Sequence, residues 1–440
     1  MREFRDLPES ASFESWALPS LLTAVRQFFG CEVQYSPTPL DMMKARGVDI
    51  STSPQRGLYP FPADSTLVML GRLVEGRKLD AAFSLTLRGN NLDGFGYLFF
   101  AFEGALARTL NRSRQFGFND RPQQFGDELV QLAISRYFSK GYFNYRSFLL
   151  LLDLFRKLST TTFEGRNFTT GLILTPSHYA YAEKHDQSRG GKLFPLEKDR
   201  PIGLHSGDDK RFWYLADGQT SFFMADRWLN IQDLFVLDAP RRSLASFMDD
   251  YSLSSTVKGR DALFRVNGRA EYSVLTSERT EFCFKDNKWH IRNLKTIAAQ
   301  IRSSLGVDEA FVESLLYFVF LLSRRRCSAI LWVPHEITNI QDVMLSRNSL
   351  AQRPFSILED AHTQTIFRQL SSDGATTIAK DGNVVSFGSV VDISKATISG
   401  VRGTGETAAA LLASRGVAVK VSQDGAIRLY TSAERPPIVF

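Results

Sequence analysis

The chain has 440 residues, of which 43% are hydrophobic, so it can bury two or three ordinary cores. Its three cysteines lie far apart without a CxxC pair, which argues against a zinc site or a disulfide framework and fits a reducing compartment. The net charge of +6 favours anionic partners, and the lack of a signal peptide or a membrane-length apolar run predicts a soluble, cytoplasmic protein without a membrane partner.

The N-terminal region, residues 1–120, predicts an α/β region of unknown type. Leu21–Phe29 has the apolar spacing of a short amphipathic helix, and Ser65–Leu87 has the alternation of β-strands. Asn111–Gly126 is polar and contains glycine and proline, so we expect a linker there and place the first domain boundary within it.

The rest of the chain predicts one series of elements twice. A helix at Tyr145–Leu158 precedes a buried strand at Gly171–Pro176, and a helix at Glu309–Ser323 precedes a strand at Ala329–Pro334. The alternative is chance, because helix, strand and hairpin follow one another in many mixed α/β chains.

An Asp-Gly pair follows each of these strands at nearly the same distance. Asp217 lies 41 residues after Pro176, and Asp373 lies 39 residues after Pro334. We therefore predict an α/β fold with α+β-type mixed sheets, in which residues 127–300 and 301–440 form two related modules.

The first copy is the more degenerate of the two, since it lacks a glycine-rich loop. Ser255–Asn267 stands where that loop would be, and Tyr272–Phe284 is expected to correspond to Val417–Tyr430. The first copy is expected to serve as a lid or degenerate partner that faces the second.

The second copy contains Asp373-Gly374-Ala375 at the start of a β-rich run. Glycine permits close approach of a ligand to the backbone, and the carboxylate of Asp373 can hold a metal ion or a ribose hydroxyl. The simpler interpretation of an Asp-Gly pair is a turn.

A glycine-rich loop follows at Gly400–Leu412 and leads into an alanine-rich helix. The free N–H groups at the start of a helix bind phosphate oxygens, with hydroxyls from Thr404 and Thr407 and charge from Arg402 as additional contacts. A capped helix with a flexible entry loop is the alternative. The stretch is not a Walker loop, because no lysine follows a GxxxxG frame.

With a turn at Ser422 after the strand Val417–Val421, these pieces resemble the diadenylate cyclase (DisA N-terminal) domain. That family has a DGA motif, a GTRHR loop before a helix and a Ser-Glu-Glu turn. Here DGA is intact and Gly403-Thr404 is kept, but Gly405-Glu406-Thr407 replaces Arg-His-Arg. In the turn, Gln423-Asp424 replaces the two acids.

The resemblance implies a nucleotide site in which the DGA aspartate serves metal and ribose chemistry, with Mg²⁺ or Mn²⁺ accompanying the nucleotide. In the family, the basic triplet stabilises the triphosphate. Its replacement here removes that positive charge, so we expect no condensation of two ATP molecules and assign no catalytic residue. The chain is similar to the divergent DACNV type, which implies a sensor of a cyclic or linear dinucleotide in bacterial signalling or conflict. The expected ligand contacts are Asp373 (also the metal candidate), Gly374, Ala375, Arg402, Gly403, Thr404, Gly405, Glu406, Thr407 and Ser422.

Two other functions stay open. An active cyclase-like nucleotidyltransferase would recruit Glu406 or Asp424 as metal ligands. A nucleic-acid-binding or scaffold protein is the third hypothesis, although no lysine-arginine block is long enough to form a binding tail. A sensor also implies an effector partner or a homo-oligomer.

Overall fold

The computed structural model describes most of the chain, with several gaps in the N-terminal region. The described residues are 18–36, 44–45, 58–61, 65–74, 78–88, 95–116, 122–140, 143–181, 190–238, 247–268, 270–396, 403–435 and 437–440. No helix within these ranges is both long enough and apolar enough to cross a membrane.

The described part of the chain has ten α-helices and mixed sheets, which confirms the α/β fold class. The helices are α1 (Leu18–Phe29), α2 (Gly96–Phe116), α3 (Pro122–Phe138), α4 (Tyr145–Ser159), α5 (Lys210–Trp213), α6 (Asp250–Ser254), α7 (Leu294–Leu305), α8 (Glu309–Arg324), α9 (Thr363–Leu370) and α10 (Thr404–Leu412).

The strands form one four-stranded sheet, one eight-stranded sheet, one seven-stranded sheet and a small two-stranded hairpin. They are β1 (Glu32–Ser36), β2 (Leu58–Phe61), β3 (Ser65–Val74), β4 (Lys78–Arg88), β5 (Thr162–Phe163), β6 (Arg166–Asn167), β7 (Thr170–Leu174), β8 (Gly191–Pro201), β9 (Ser221–Ala225), β10 (Asn230–Leu237), β11 (Ala262–Gly268), β12 (Glu271–Leu275), β13 (Thr280–Lys285), β14 (Lys288–Asn293), β15 (Ala329–Pro334), β16 (Met344–Asn348), β17 (Ala375–Ile378), β18 (Val384–Val391), β19 (Gly416–Val421), β20 (Ile427–Tyr430) and β21 (Ile438–Val439).

The N-terminal helices share a hydrophobic core with the eight-stranded sheet. Phe28 of α1, Phe102 of α2 and Phe138 of α3 belong to the same buried cluster as Phe264 and Phe282 of the sheet. The linker expected at Asn111–Gly126 is wrong for most of its length, because α2 continues to Phe116 and α3 begins at Pro122. Packing of the apolar faces of these helices outweighs the polar composition of the stretch.

The two large sheets have the same strand order. From one edge to the other, the strand order of the eight-stranded sheet is β14-β13-β12-β11-β7-β9-β10-β8. The order of the seven-stranded sheet is β21-β20-β19-β15-β17-β18-β16, which matches the first strand by strand once β14 is left out. In the first sheet, β7 is parallel to β9 and antiparallel to β11. In the second sheet, β15 is likewise parallel to β17 and antiparallel to β19. This shared topology supports the predicted duplication.

The topology also changes two details of the predicted correspondence. The hairpin β11–β12, residues 262–275, matches β19–β20, so the expected match of Tyr272–Phe284 with Val417–Tyr430 is displaced by one strand. Aligning Pro176 with Pro334 would match Leu172 with Ile330. Leu172 faces α4, however, and its counterpart that faces α8 is Leu331, so the predicted alignment is displaced by one residue. Side chains alternate between the faces of a sheet, so a shift of one residue exchanges those faces.

The first module packs against the face of the seven-stranded sheet that lies opposite the candidate site. The prediction that the first module faces this site as a lid or partner is therefore wrong. Tyr251 of α6 and Phe247 lie in one core with α8, and Phe247 packs edge-on against Tyr317 at 5.4 Å. Helix α8 covers one face of the seven-stranded sheet, while α10 covers the opposite face. The first module therefore contacts the back of the second module's candidate site.

One buried carboxyl predicts a pH-dependent stability. Asp261 is 7% exposed and accepts a hydrogen bond from the Tyr181 hydroxyl at 2.7 Å. Burial raises the pKa of Asp261 to about 6, although the Tyr181 hydrogen bond opposes this. As the pH rises from about 4 to 6, the unfolded chain loses this proton before the folded chain does, so the folded state loses stability.

We expect Asp261→Asn to gain stability relative to the wild type by about 2 kcal/mol between pH 4.5 and pH 7.5. Urea unfolding of both proteins at the two pH values measures this difference. Asp286→Asn, at an exposed turn, controls for the loss of charge itself. An equal difference at both pH values would show that the buried carboxyl does not retain its proton.

Candidate functional site

The DGA corner lies at the end of the seven-stranded sheet, directly before β17. Gly374 has a φ of +98°, and a β-carbon at this position would lie 2.5 Å from the main-chain oxygen of Ser389. Only glycine fits this conformation without displacing β18. Asp373 is exposed, and its Oδ1 accepts a hydrogen bond from the N–H of Gly374 at 3.0 Å. The carboxylate is therefore held in place and open to solvent.

Ala375, the third residue of the motif, is fully buried. It lies in the core cluster beneath α10, together with Ile330 and Ala409. Its side chain supports the corner from below, and its small size lets α10 approach the sheet.

The first turn of α10 provides the predicted phosphate-binding amides. Gly403 is the N-cap, with φ −64° and ψ 152°, and its carbonyl accepts the N–H groups of Glu406 and Thr407. The N–H groups of Thr404 and Gly405 precede the first helical hydrogen bond and point away from the helix. The Thr407 hydroxyl donates to the Gly403 carbonyl at 3.2 Å, so it stabilises the turn. Arg402 lies outside the described residues.

Ser422 lies immediately after β19, at the same end of the sheet. Its N–H and carbonyl close the turn to β20, bonding Ala426 O at 2.8 Å and Gly425 N at 2.8 Å. The strand register pairs Lys420 with Ile330 and Ile330 with Ala375, so Ser422 and Asp373 both extend beyond the paired ends of their strands. The structure therefore brings the DGA corner, the start of α10 and the Ser422 turn to one edge.

Two basic residues that the sequence analysis missed complete this site. Lys420 of β19 and Arg428 of β20 are direct register partners on the face covered by α10. The Lys420 ammonium donates to the Ser328 hydroxyl at 2.8 Å, and Arg428 forms an ion pair with Glu406. Two cations from neighbouring strands therefore lie beside the first turn of α10, whose residues Gly405-Glu406-Thr407 include no basic side chain.

Strand alternation contains a signal for these residues. Val417, Val419 and Val421 face α8, so Lys420 lies on the opposite face, which is otherwise lined by residues such as Ala418. A lysine in the middle of an apolar strand that is buried on both faces needs a polar partner.

The electrostatics of the site are set by Lys420. A β-carbon at Gly405 would lie 3.0 Å from Lys420 Cε and 3.2 Å from its Nζ, so the lysine packs directly on the first turn of α10. Burial lowers the pKa of Lys420, whereas the negative charges of Asp373 and Glu406 oppose this. A cation at the positive end of a helix dipole is unfavourable unless an anion lies nearby.

The metal predictions gain no geometric partner set. Among the residues placed in the structure, no group of three or more His, Cys, Asp or Glu side chains is arranged to hold a metal ion. Asp424 Oδ1 accepts the Ala426 N–H at 3.0 Å and so stabilises its own turn. A metal at Asp373 would need the nucleotide's own oxygens as further ligands.

The Asp-Gly pair of the first module has a different role. The Asp217 carboxylate accepts the N–H groups of Gln219, Thr220 and Ser221 at 2.7–2.8 Å, which makes it the cap of a tight turn. Asp373 makes none of these turn contacts and keeps an accessible carboxylate.

A scan of this chain against models of protein families matches none of them, and a search of curated proteins finds no match.

Proposed function

We propose that this protein is a non-catalytic, cytoplasmic nucleotide sensor that binds a cyclic or linear dinucleotide at the C-terminal module. The site consists of the Asp373 carboxylate, the first amides of α10 and the cations Lys420 and Arg428. One observation carries the proposal: the Lys420 ammonium packs against Gly405 at the positive end of α10. A bound phosphate would stabilise both positive groups at once.

The arrangement favours binding over catalysis. Glu406 lies at the third helical position and pairs with Arg428, so the site holds an anion where the resembled family has a histidine. This carboxylate would repel a triphosphate and tolerate a ligand with fewer phosphate charges. Incubation with ATP and Mg²⁺ or Mn²⁺ is therefore expected to yield no diadenylate, and accumulation of this product would exclude a purely binding role.

The two side chains give opposite predictions for binding. Lys420→Met should weaken dinucleotide affinity by about tenfold or more, because a charged hydrogen bond to phosphate is lost. Glu406→Gln should strengthen affinity, because it removes a negative charge and releases Arg428. Calorimetric titration of the full chain with a panel of cyclic and linear dinucleotides measures both changes.

Lys380→Gln is the matched control, since it removes the same charge from an exposed hairpin at the other end of β17. It should leave affinity unchanged. Equal losses in Lys420→Met and Lys380→Gln would indicate non-specific attraction to a basic protein. Saturable binding that neither Lys420→Met nor Glu406→Gln alters would place the ligand elsewhere and refute this site.

A further inference from the structure

A cavity of about 540 Å³ lies where the first module meets the end of α8. One wall is the eight-stranded sheet, with Arg265 and Asn267 of β11, Lys285 of β13 and Arg292 of β14. The opposite wall is the end of α8, where Arg324 reaches across and donates from Nη2 to the carbonyl of Asn267 at 3.1 Å. The cavity is therefore built by both modules.

Four polar atoms of the lining side chains are buried without a hydrogen-bond partner among the described residues. They are Arg265 Nε, Gln219 Nε2, Arg324 Nη1 and Asn267 Oδ1. Arg265 is only 2% exposed and Gln219 only 9%. Buried polar groups are almost always paired in folded proteins, so four unpaired atoms in the side chains that line one cavity show that the protein alone does not satisfy the polar groups of this region.

The charge of the lining shows which kind of occupant fits. Six basic side chains line the cavity against three acidic ones. Arg265 is paired with Asp250, Arg326 with Glu271 and Arg292 with Glu281, so among the described residues Lys285, Arg324 and Arg325 are the lining cations without a carboxylate partner. Burial, together with the positive charge of Arg265, lowers the pKa of Arg324 to about 10. Water would satisfy donors but would leave this surplus of positive charge uncompensated.

The lining also has an apolar side. Phe247 and Phe320 border the cavity, with Leu321 beside them, so the space is cationic and partly aromatic. Its volume lies within the range of ordinary small-molecule sites, about 300–1,000 Å³.

We propose that this cavity binds a small phosphorylated organic molecule of nucleotide size, and that the ligand bridges the two modules. Arg324 and Lys285 would hold the phosphate from the two walls, because both Nη atoms of Arg265 are already bonded to Asp250 and to the carbonyl of Met248. The site is separate from the Lys420 site and does not rest on the function proposed for it.

The repeat explains why a second anion site lies here. Arg265 pairs with Gly171 on β7, as Lys420 pairs with Ile330 on β15, and both lie on the face away from α4 or α8. Asn267 then corresponds to Ser422. Each sheet therefore places one cation at the same position, but only in the first module does a neighbouring module enclose it.

The test uses the full chain in the Lys420→Met background, so that the C-terminal site is weakened. Calorimetric titration with ADP is expected to show saturable binding at one site per chain, and adenosine is expected not to bind. Adding Arg324→Gln should lower ADP affinity at least tenfold. Lys285→Gln, a rim substitution on the sheet wall, should also lower it and serves if Arg324→Gln misfolds.

Arg347→Gln, on β16 at the far edge of the seven-stranded sheet, is the matched control and should not change ADP affinity. Absence of saturable ADP binding in the Lys420→Met background would overturn the proposal. So would ADP binding that Lys285→Gln and a folded Arg324→Gln both leave intact. An unaltered affinity in Lys420→Met alone bears on the C-terminal site, which keeps the two failures distinct.

Discussion

Replacing Gly374 by alanine is expected to destabilise the C-terminal module by about 3 kcal/mol or more. The added β-carbon would lie 2.5 Å from the oxygen of Ser389 and 3.1 Å from the carbonyl carbon of Gly388, both in the backbone of β18. A backbone neighbour cannot rotate away as a flexible side chain does. Relief of the overlap would require β17 and β18 to separate at their Ala375–Ser389 pair.

Gly306→Ala separates the two contributions to this effect. Gly306 ends α7 with a φ of +67°, but a β-carbon there would meet no atom within 4 Å. It should cost only the left-handed conformation, about 1 kcal/mol. Thermal and urea unfolding of both variants measures the difference, and equal losses would mean that the contact with Ser389 relaxes without cost.

The order of elements in the two modules could be predicted from sequence. Buried strands such as Ala329–Pro334 are short apolar runs, and helices such as Tyr145–Ser159 have a clear apolar stripe, so local pattern alone identifies them. The need for a small residue at position 374 could also be predicted, but the predicted reason was close approach of a ligand, whereas in the structure the main-chain oxygen of Ser389 lies against Gly374.

The parts that could not be predicted depend on contacts between distant residues. Local sequence indicates only one role for Arg324, that of a cation at the C-terminal end of a helix, where it complements the dipole. Its guanidinium instead contacts Asn267, 57 residues earlier in the chain. No local sequence pattern indicates such a contact, so the cavity could not be predicted from the sequence. The cations Lys420 and Arg428 were missed for another reason, because a motif search considers the loop and omits the strands beside it.

Disruption of the buried pair formed by Arg265 and Asp250 is expected to have the other large effect. Arg265 and Asp250 are 2% and 6% exposed, and Arg265 Nη1 also donates to the carbonyl of Met248 at 2.8 Å. Arg265→Met should cost about 3–5 kcal/mol, because it leaves the Asp250 carboxylate buried without its cation. Asp250→Asn should be costly for the converse reason.

The double variant Arg265→Met with Asp250→Asn should lose about 2 kcal/mol less than the sum of the single losses, because neither charge is then stranded. The exposed pair of Arg200 and Asp209, also in contact at 2.6 Å, provides the comparison and should show a coupling below about 1 kcal/mol. Urea unfolding of all members of both cycles measures these couplings, and strictly additive losses at the buried pair would contradict the argument.

A strong coupling has a further consequence for the cavity. Asp250 lines the cavity, and the Arg265 guanidinium neutralises its negative charge there. The same ion pair that stabilises the first module would then prepare its cavity for phosphate.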